Sequence, residues 1–216
     1  MKRLIIYDLD GTLVDTKEDI SRAANHMLSQ LHLPPLASQE ICRYVGRGLH
    51  NLIKGCLQTD DPRRIEQGTK SYRAYYAAHL LDHSRLYPGA QEALEYFKSR
   101  AQVVITNKPN PYSREILMGL GVAGYFIEIV AGDSAYPKKP DPAAVRSVME
   151  RAQAAPEETL MVGDSPIDIE TGRNAGVLTV GIAQGFADDH ELQAASPDVL
   201  IRNFTELLTL VRQRRW

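Results

Sequence analysis

Arg3-Leu4-Ile5-Ile6-Tyr7-Asp8-Leu9-Asp10-Gly11-Thr12 sets a short apolar run against an abrupt polar turn that contains a glycine. An apolar run of this length, closed by turn residues, reads as a buried strand that stops suddenly. Three later stretches have the same shape. Gln102-Val103-Val104-Ile105 runs into Thr106-Asn107-Lys108-Pro109, Ile127-Glu128-Ile129-Val130 into Ala131-Gly132-Asp133, and Leu160-Met161-Val162 into Gly163-Asp164-Ser165-Pro166. Val177–Ile182 and Val199–Ile201 are two further strand candidates.

Helical spacing fills the intervals. Ala90, Ala93, Leu94 and Phe97 share a face, as do Ile116, Leu117 and Leu120. Asp141-Pro142 opens a helix with Asp as N-cap and Pro in the first turn, and its stripe is Val145, Val148, Met149 and Ala152. Apolar strands alternating with helices indicate an α/β fold: a parallel sheet with helices on both faces. Residues 15–82 break the alternation. Ile20, Ala23, Ala24, Met27, Leu28 and Leu31 form one helical face that Pro34-Pro35 ends, and 63–81 reads as another helix. The expected organisation is a core of residues 1–14 and 83–216 with an inserted all-helical domain at 15–82.

The chain has 216 residues and a net charge of −2, without a long basic or acidic run, so nucleic-acid binding has no electrostatic footprint. The arginines at 212, 214 and 215 read as a solvated or frayed C-terminus. No apolar run approaches the roughly 20 residues of a membrane helix, and the N-terminal run is too short for a signal peptide. Cys42 and Cys56 match no metal or redox spacing and read as free thiols. Membrane association is not expected, and a reducing, cytoplasmic location is.

Ligands of open parallel sheets bind beyond the carboxyl ends of the strands. Those ends carry Asp8 and Asp10, Thr106 and Asn107, and Asp164, and Lys139 precedes the Asp141-Pro142 helix. Several carboxylates together repel and need a cation, and oxygen donors without imidazole favour a hard ion such as Mg²⁺. A metal, a lysine and a hydroxyl clamp an anion, which suits a phosphoryl group. A carboxylate is also able to attack phosphorus, and a second one on the same turn to carry the proton.

Asp8-Leu9-Asp10-Gly11-Thr12-Leu13-Val14-Asp15 resembles the first motif, DxDGTLxD, of the haloacid dehalogenase superfamily. Thr106 resembles its second motif, Lys139-Pro140-Asp141-Pro142 its third and Gly163-Asp164-Ser165-Pro166-Ile167-Asp168 its fourth. The resemblance implies a Rossmann-like core, with residues 15–82 as a helical cap. It also implies roles: Asp8 as nucleophile, Asp10 as acid and base, Thr106 and Lys139 on the phosphoryl oxygens. Mg²⁺ would be held by the Asp8 side chain, the Asp10 backbone carbonyl and Asp164. Asp168 would orient Lys139 or a metal-bound water, and Asn107 would add a phosphoryl contact where it is not simply a turn residue. Dehalogenase and phosphonatase members lack the second carboxylate, so Asp10 argues for oxygen leaving groups.

The runs Thr106–Pro109 and Lys138–Pro142, and Gly163-Asp164-Ser165 with Asp168, resemble the phosphoglycolate phosphatases, which implies a small phosphorylated substrate. Arg47, in the turn Gly46-Arg47-Gly48, is a candidate for a substrate carboxylate, set against a plain solvated arginine, with His50 beside it. Lys54 stands where it could match the Schiff-base lysine of phosphonatases, but Asp10 argues against that chemistry. His79 and His83 have the spacing of a metal pair without a completing motif, and Tyr72, Tyr75 and Tyr76 read as cap packing or cap–core contact. A pyrophosphatase or nucleotidase, a sugar phosphomutase and a non-catalytic binding protein are the alternatives, as a monomer or a homodimer.

Overall fold

The structure, a computed structural model, describes residues 2–214 and 216; Met1 and Arg215, the latter part of the C-terminal basic cluster, lie outside the described residues. Strands β1 (Leu4–Tyr7), β4 (Ala101–Ile105), β5 (Glu128–Val130), β6 (Thr159–Gly163), β7 (Leu178–Ile182) and β8 (Val199–Ile201) form one sheet in the order β5-β4-β1-β6-β7-β8. Every pairing in it is parallel. The chain leaves β1 toward β4 and β5 on one side, then returns to β6, β7 and β8 on the other. The order therefore reverses at β1, and the crevice beyond its C-terminal end is where an open α/β sheet offers a site.

Alternation along β1 fills two cores. Ile5 and Tyr7 face a cluster with Leu94 of α5 (Ala90–Tyr96) and Phe97, which caps it, Ile116 and Leu117 of α6 (Tyr112–Gly119), and Phe204 and Leu207 of α10 (Phe204–Arg214). Leu4 and Ile6 face the other cluster, with Val145 and Val148 of α7 (Ala143–Arg151) and Ala175 of α8 (Pro166–Ala175). Burial on both faces is why these strands read as apolar runs rather than as alternating ones. α9 (Asp189–Ala194) follows β7.

Four helices lie between the first and second strands of the large sheet: α1 (Lys17–Gln30), α2 (Ser38–Cys42), α3 (Leu49–Leu57) and α4 (Pro62–His79). They hang from a two-stranded antiparallel ribbon, β2 (Val14–Asp15) with β3 (Arg85–Leu86). Asp19, buried in α1, accepts hydrogen bonds from the His83 and Ser84 backbone N–H groups, so the outgoing and returning chains are tied together.

Two boundaries differ from the sequence expectation. α1 ends at Gln30, before Pro34-Pro35, because His32 takes a left-handed φ of 55° that closes the turn. α7 starts at Ala143, with Asp141 still capping: its Oδ1 accepts from the Ala143 N–H at 2.8 Å. At the C-terminus Arg212 and Arg214 are exposed on α10 and not frayed. No helix among the described residues is long and apolar enough to cross a membrane.

Candidate active site

Asp8 follows β1, Thr106 follows β4 and Asp164 follows β6, so three neighbouring strands deliver them to one edge. Lys139 arrives from the loop before α7, and its ammonium is the centre of the arrangement. It lies 2.7 Å from Asp8 Oδ1 and donates to Asp168 Oδ1 at 2.6 Å. Asp168 Oδ2 accepts from the Ser165 N–H and hydroxyl, so one carboxylate both stitches the first turn of α8 and holds Lys139. Burial pulls the Lys139 pKa down, and Asp168 and Asp8 together outweigh it, so the ammonium is held charged.

Asp164 is fixed from two sides. Its Oδ1 accepts from the Thr12 hydroxyl at 2.7 Å and its Oδ2 from the Phe186 N–H at 2.8 Å. The backbone around it has no room to spare: a Cβ on Gly11, which has φ +82°, or on Gly185 would overlap the Asp164 carboxyl. Burial pushes the Asp164 carboxyl up to about 8, with Asp168 and Asp8 adding to the rise. Burial also pushes Asp8 up to about 7, Lys139 opposing and Asp168 and Asp10 reinforcing.

Side-chain oxygens of Asp8, Asp164 and Asp168, all buried, lie within 4.8 Å of one another. Asp8 Oδ1 is ion-paired with the Lys139 ammonium. An all-oxygen set with a surplus of negative charge fits a hard divalent cation. The Asp10 carboxylate stands apart from this set. Its Oδ1 accepts from the Thr16 hydroxyl at 2.7 Å, and Lys108 Nζ donates to both oxygens, at 2.9 and 3.2 Å.

Thr106 is buried and lines the cleft, and its hydroxyl oxygen accepts from the Lys108 N–H. Asn107 uses its side chain as a brace. Its amide donates to the carbonyls of Gly46 and Lys139, and its Oδ1 accepts from the Lys139 N–H. The exposed Arg47 lines the cleft from the helical insert, while His50 lies outside it on a smaller neighbouring pocket. Lys54 is away from the cleft and pairs with Asp60. His79 pairs with Asp82 and stacks on Tyr75, and the His83 backbone N–H donates to Asp19. Cys42 and Cys56 are free and buried. The cleft is about 1140 Å³, and Lys17, Arg43 and Lys108, which the motifs do not single out, also line it.

This constellation has relatives. A family model described as haloacid dehalogenase-like hydrolase matches residues 5–182. The chain belongs to this family. It is 35% identical to a phosphoglycolate phosphatase of Vibrio parahaemolyticus across 97% of this chain and 96% of that one. It is 39% identical to a phosphoglycolate phosphatase of Neisseria gonorrhoeae across 85% of this chain and 81% of that one. The crystal structure of a predicted phosphoglycolate phosphatase from Haemophilus somnus superposes with a TM-score of 0.93 at 28% identity, covering 97% and 98% of the two chains.

Proposed function

We propose that this hydrolase cleaves a small phosphomonoester, 2-phosphoglycolate foremost, through an aspartyl-phosphate on Asp8 with Mg²⁺ as cofactor. The observation that carries the reading is the buried Asp8 carboxylate, set beside Lys139 and Asp164 at the switch point of the sheet. The names of its relatives in Vibrio parahaemolyticus and Neisseria gonorrhoeae support the substrate.

Asp8 attacks phosphorus, and the P–O bond to the alcohol breaks. Asp10 gives its proton to the departing oxygen. Asp10 then takes a proton from the water that attacks the aspartyl-phosphate, which releases inorganic phosphate and restores Asp8. Lys139 and Thr106 hold the phosphoryl oxygens, and Asp168 keeps Lys139 in place. Asp8, Asp164 and the Asp10 backbone carbonyl would hold Mg²⁺, which when bound neutralises charge on the phosphoryl oxygens. The helical insert acts as a cap whose opening admits substrate. Asn107 supports the Lys139 loop, and Arg47 faces the substrate carboxylate.

Release of inorganic phosphate from a substrate panel, with Mg²⁺ and with EDTA, tests the proposal. The cleft is large for a two-carbon ester, so nucleotides and pyrophosphate belong in the panel beside 2-phosphoglycolate. The expected result is Mg²⁺-dependent release with the highest kcat/KM for 2-phosphoglycolate, abolished in Asp8→Asn. Release from no ester, or near-normal activity of Asp8→Asn, refutes it.

A further inference from the structure

Lys108 is a buried cation that the mechanism above leaves without a task. It follows Thr106 and Asn107 in the turn after β4, and its ammonium faces both the sheet edge and the helical insert. Besides the two Asp10 oxygens, Nζ donates to the Tyr76 hydroxyl at 2.7 Å. Tyr76 belongs to α4 and is almost fully buried. Its ring stacks on Tyr72 with centroids 5.3 Å apart, and meets Tyr112 of α6 edge-to-face, also at 5.3 Å. The hydroxyl is therefore held in place by rings from the insert and from the core.

The Asp10 carboxylate is held by two side chains only, among the described residues: Thr16, six residues along the chain, and Lys108, from across the sheet edge. Thr16 grips one oxygen and leaves the plane of the carboxyl free to turn. Lys108 reaches both oxygens and removes that freedom. A group that exchanges protons with a leaving oxygen must lie within hydrogen-bond reach of it, so orientation comes first.

We propose that Lys108 is a positioning residue for Asp10, and that Tyr76 sets Lys108, so the proton-transferring carboxylate is aligned only while the insert is docked on the sheet. The inference rests on the reading of Asp10 as proton carrier. Both residues act before any bond changes: they orient a carboxylate and transfer nothing themselves.

The test compares Lys108→Met and Tyr76→Phe with the unmodified enzyme on two ester types. Alkyl phosphates need a proton on the departing oxygen, whereas p-nitrophenyl phosphate expels its stable anion without one. The first-turnover burst of p-nitrophenol isolates that step from later hydrolysis. The expected outcome for Lys108→Met is a fall of about 10²-fold in alkyl-ester kcat, with the burst rate nearly preserved. Tyr76→Phe keeps the ring packing and shows the same pattern to a smaller degree, with an unchanged melting temperature. An equal loss on both esters overturns the inference. So does a KM increase confined to carboxylate-bearing esters with kcat intact, which would make Lys108 a substrate-recognition group. An unaffected Tyr76→Phe overturns the link to the insert. If Asp10→Asn keeps normal alkyl-ester turnover, the reading of Asp10 fails and the inference with it; a uniform loss in Lys108→Met alongside a crippled Asp10→Asn sinks the inference alone.

Discussion

The Lys139 ammonium stands 2.7 Å from Asp8 Oδ1, in a site where three buried carboxylates meet. It is the cation that makes that crowding tolerable without metal. Removing one partner of a buried ion pair leaves uncompensated charge and costs about 3–5 kcal/mol. Lys139→Met should approach that loss at pH 8, measured by urea unfolding in EDTA. The loss should shrink at pH 5, where the carboxyls take up protons instead. A loss that is the same at both pH values would contradict this account of the site.

The same crowding sets a pH dependence. Burial, chiefly, raises Asp8 to about 7 and Asp164 to about 8 in the folded protein, against an ordinary value of 3.8. The folded state thus keeps protons that the unfolded state releases. That stabilisation is complete below about pH 4 and is lost as pH rises through 7 to 8. The melting temperature in EDTA should fall across this window. On the proposed function Mg²⁺ would bind the ionised carboxylates, so the increase it produces should be larger at pH 8 than at pH 5.5. A metal-free melting temperature that climbs between pH 5 and 8 would show that these groups do not dominate.

Gly185 tests how tightly Asp164 is held. A Cβ at this position would overlap the carboxyl group itself, and the Phe186 N–H that follows is one of its hydrogen-bond donors. Gly185→Ala should therefore displace Asp164 without touching Asp8, the proposed nucleophile. Disturbing the partners of a metal-binding carboxylate typically weakens metal affinity about 10–100-fold. The expected result is a shift of that size in the Mg²⁺ concentration giving half-maximal activity, measured by titration. Saturating Mg²⁺ should restore most of the turnover. An unchanged titration would mean that residue 185 yields easily or that Asp164 does not bind the metal.

How far the sequence discloses this site depends on which link a residue depends on. Asp8, Thr106 and Asp164 were legible because each ends an apolar run, and parallel strands put such ends on one edge. The fold was legible for the same reason: Leu4–Tyr7 is apolar throughout, and both of its faces are buried. Lys108 was not, although it sits within the quoted Thr106–Pro109 turn. Its partners, Asp10 and Tyr76, are distant in sequence, and only the docking of α4 against α6 brings the Tyr76 hydroxyl to it. Asn107 shows the converse limit. Its position is that of a phosphoryl contact, but its amide is directed at the Lys139 backbone and at Gly46, which no spacing reveals.

Arg47 is the proposed substrate contact with the least structural commitment. It lies between Gly46 and Gly48, whose φ angles of 97° and 87° shape a turn that other residues rarely adopt, and its side chain is exposed at the cleft. If it pairs with the carboxylate of 2-phosphoglycolate, it binds ground state and transition state alike, and such uniform binding appears in KM. Arg47→Ala should raise KM for 2-phosphoglycolate about tenfold, equivalent to about 1.4 kcal/mol, and leave kcat within about threefold. A phosphate ester without a carboxylate should show no change in either constant. If KM for 2-phosphoglycolate stays put, recognition falls to Arg43 or Lys17, the other cations of the insert on this cleft, and the same pair of substrates assayed on their alanine variants would show which.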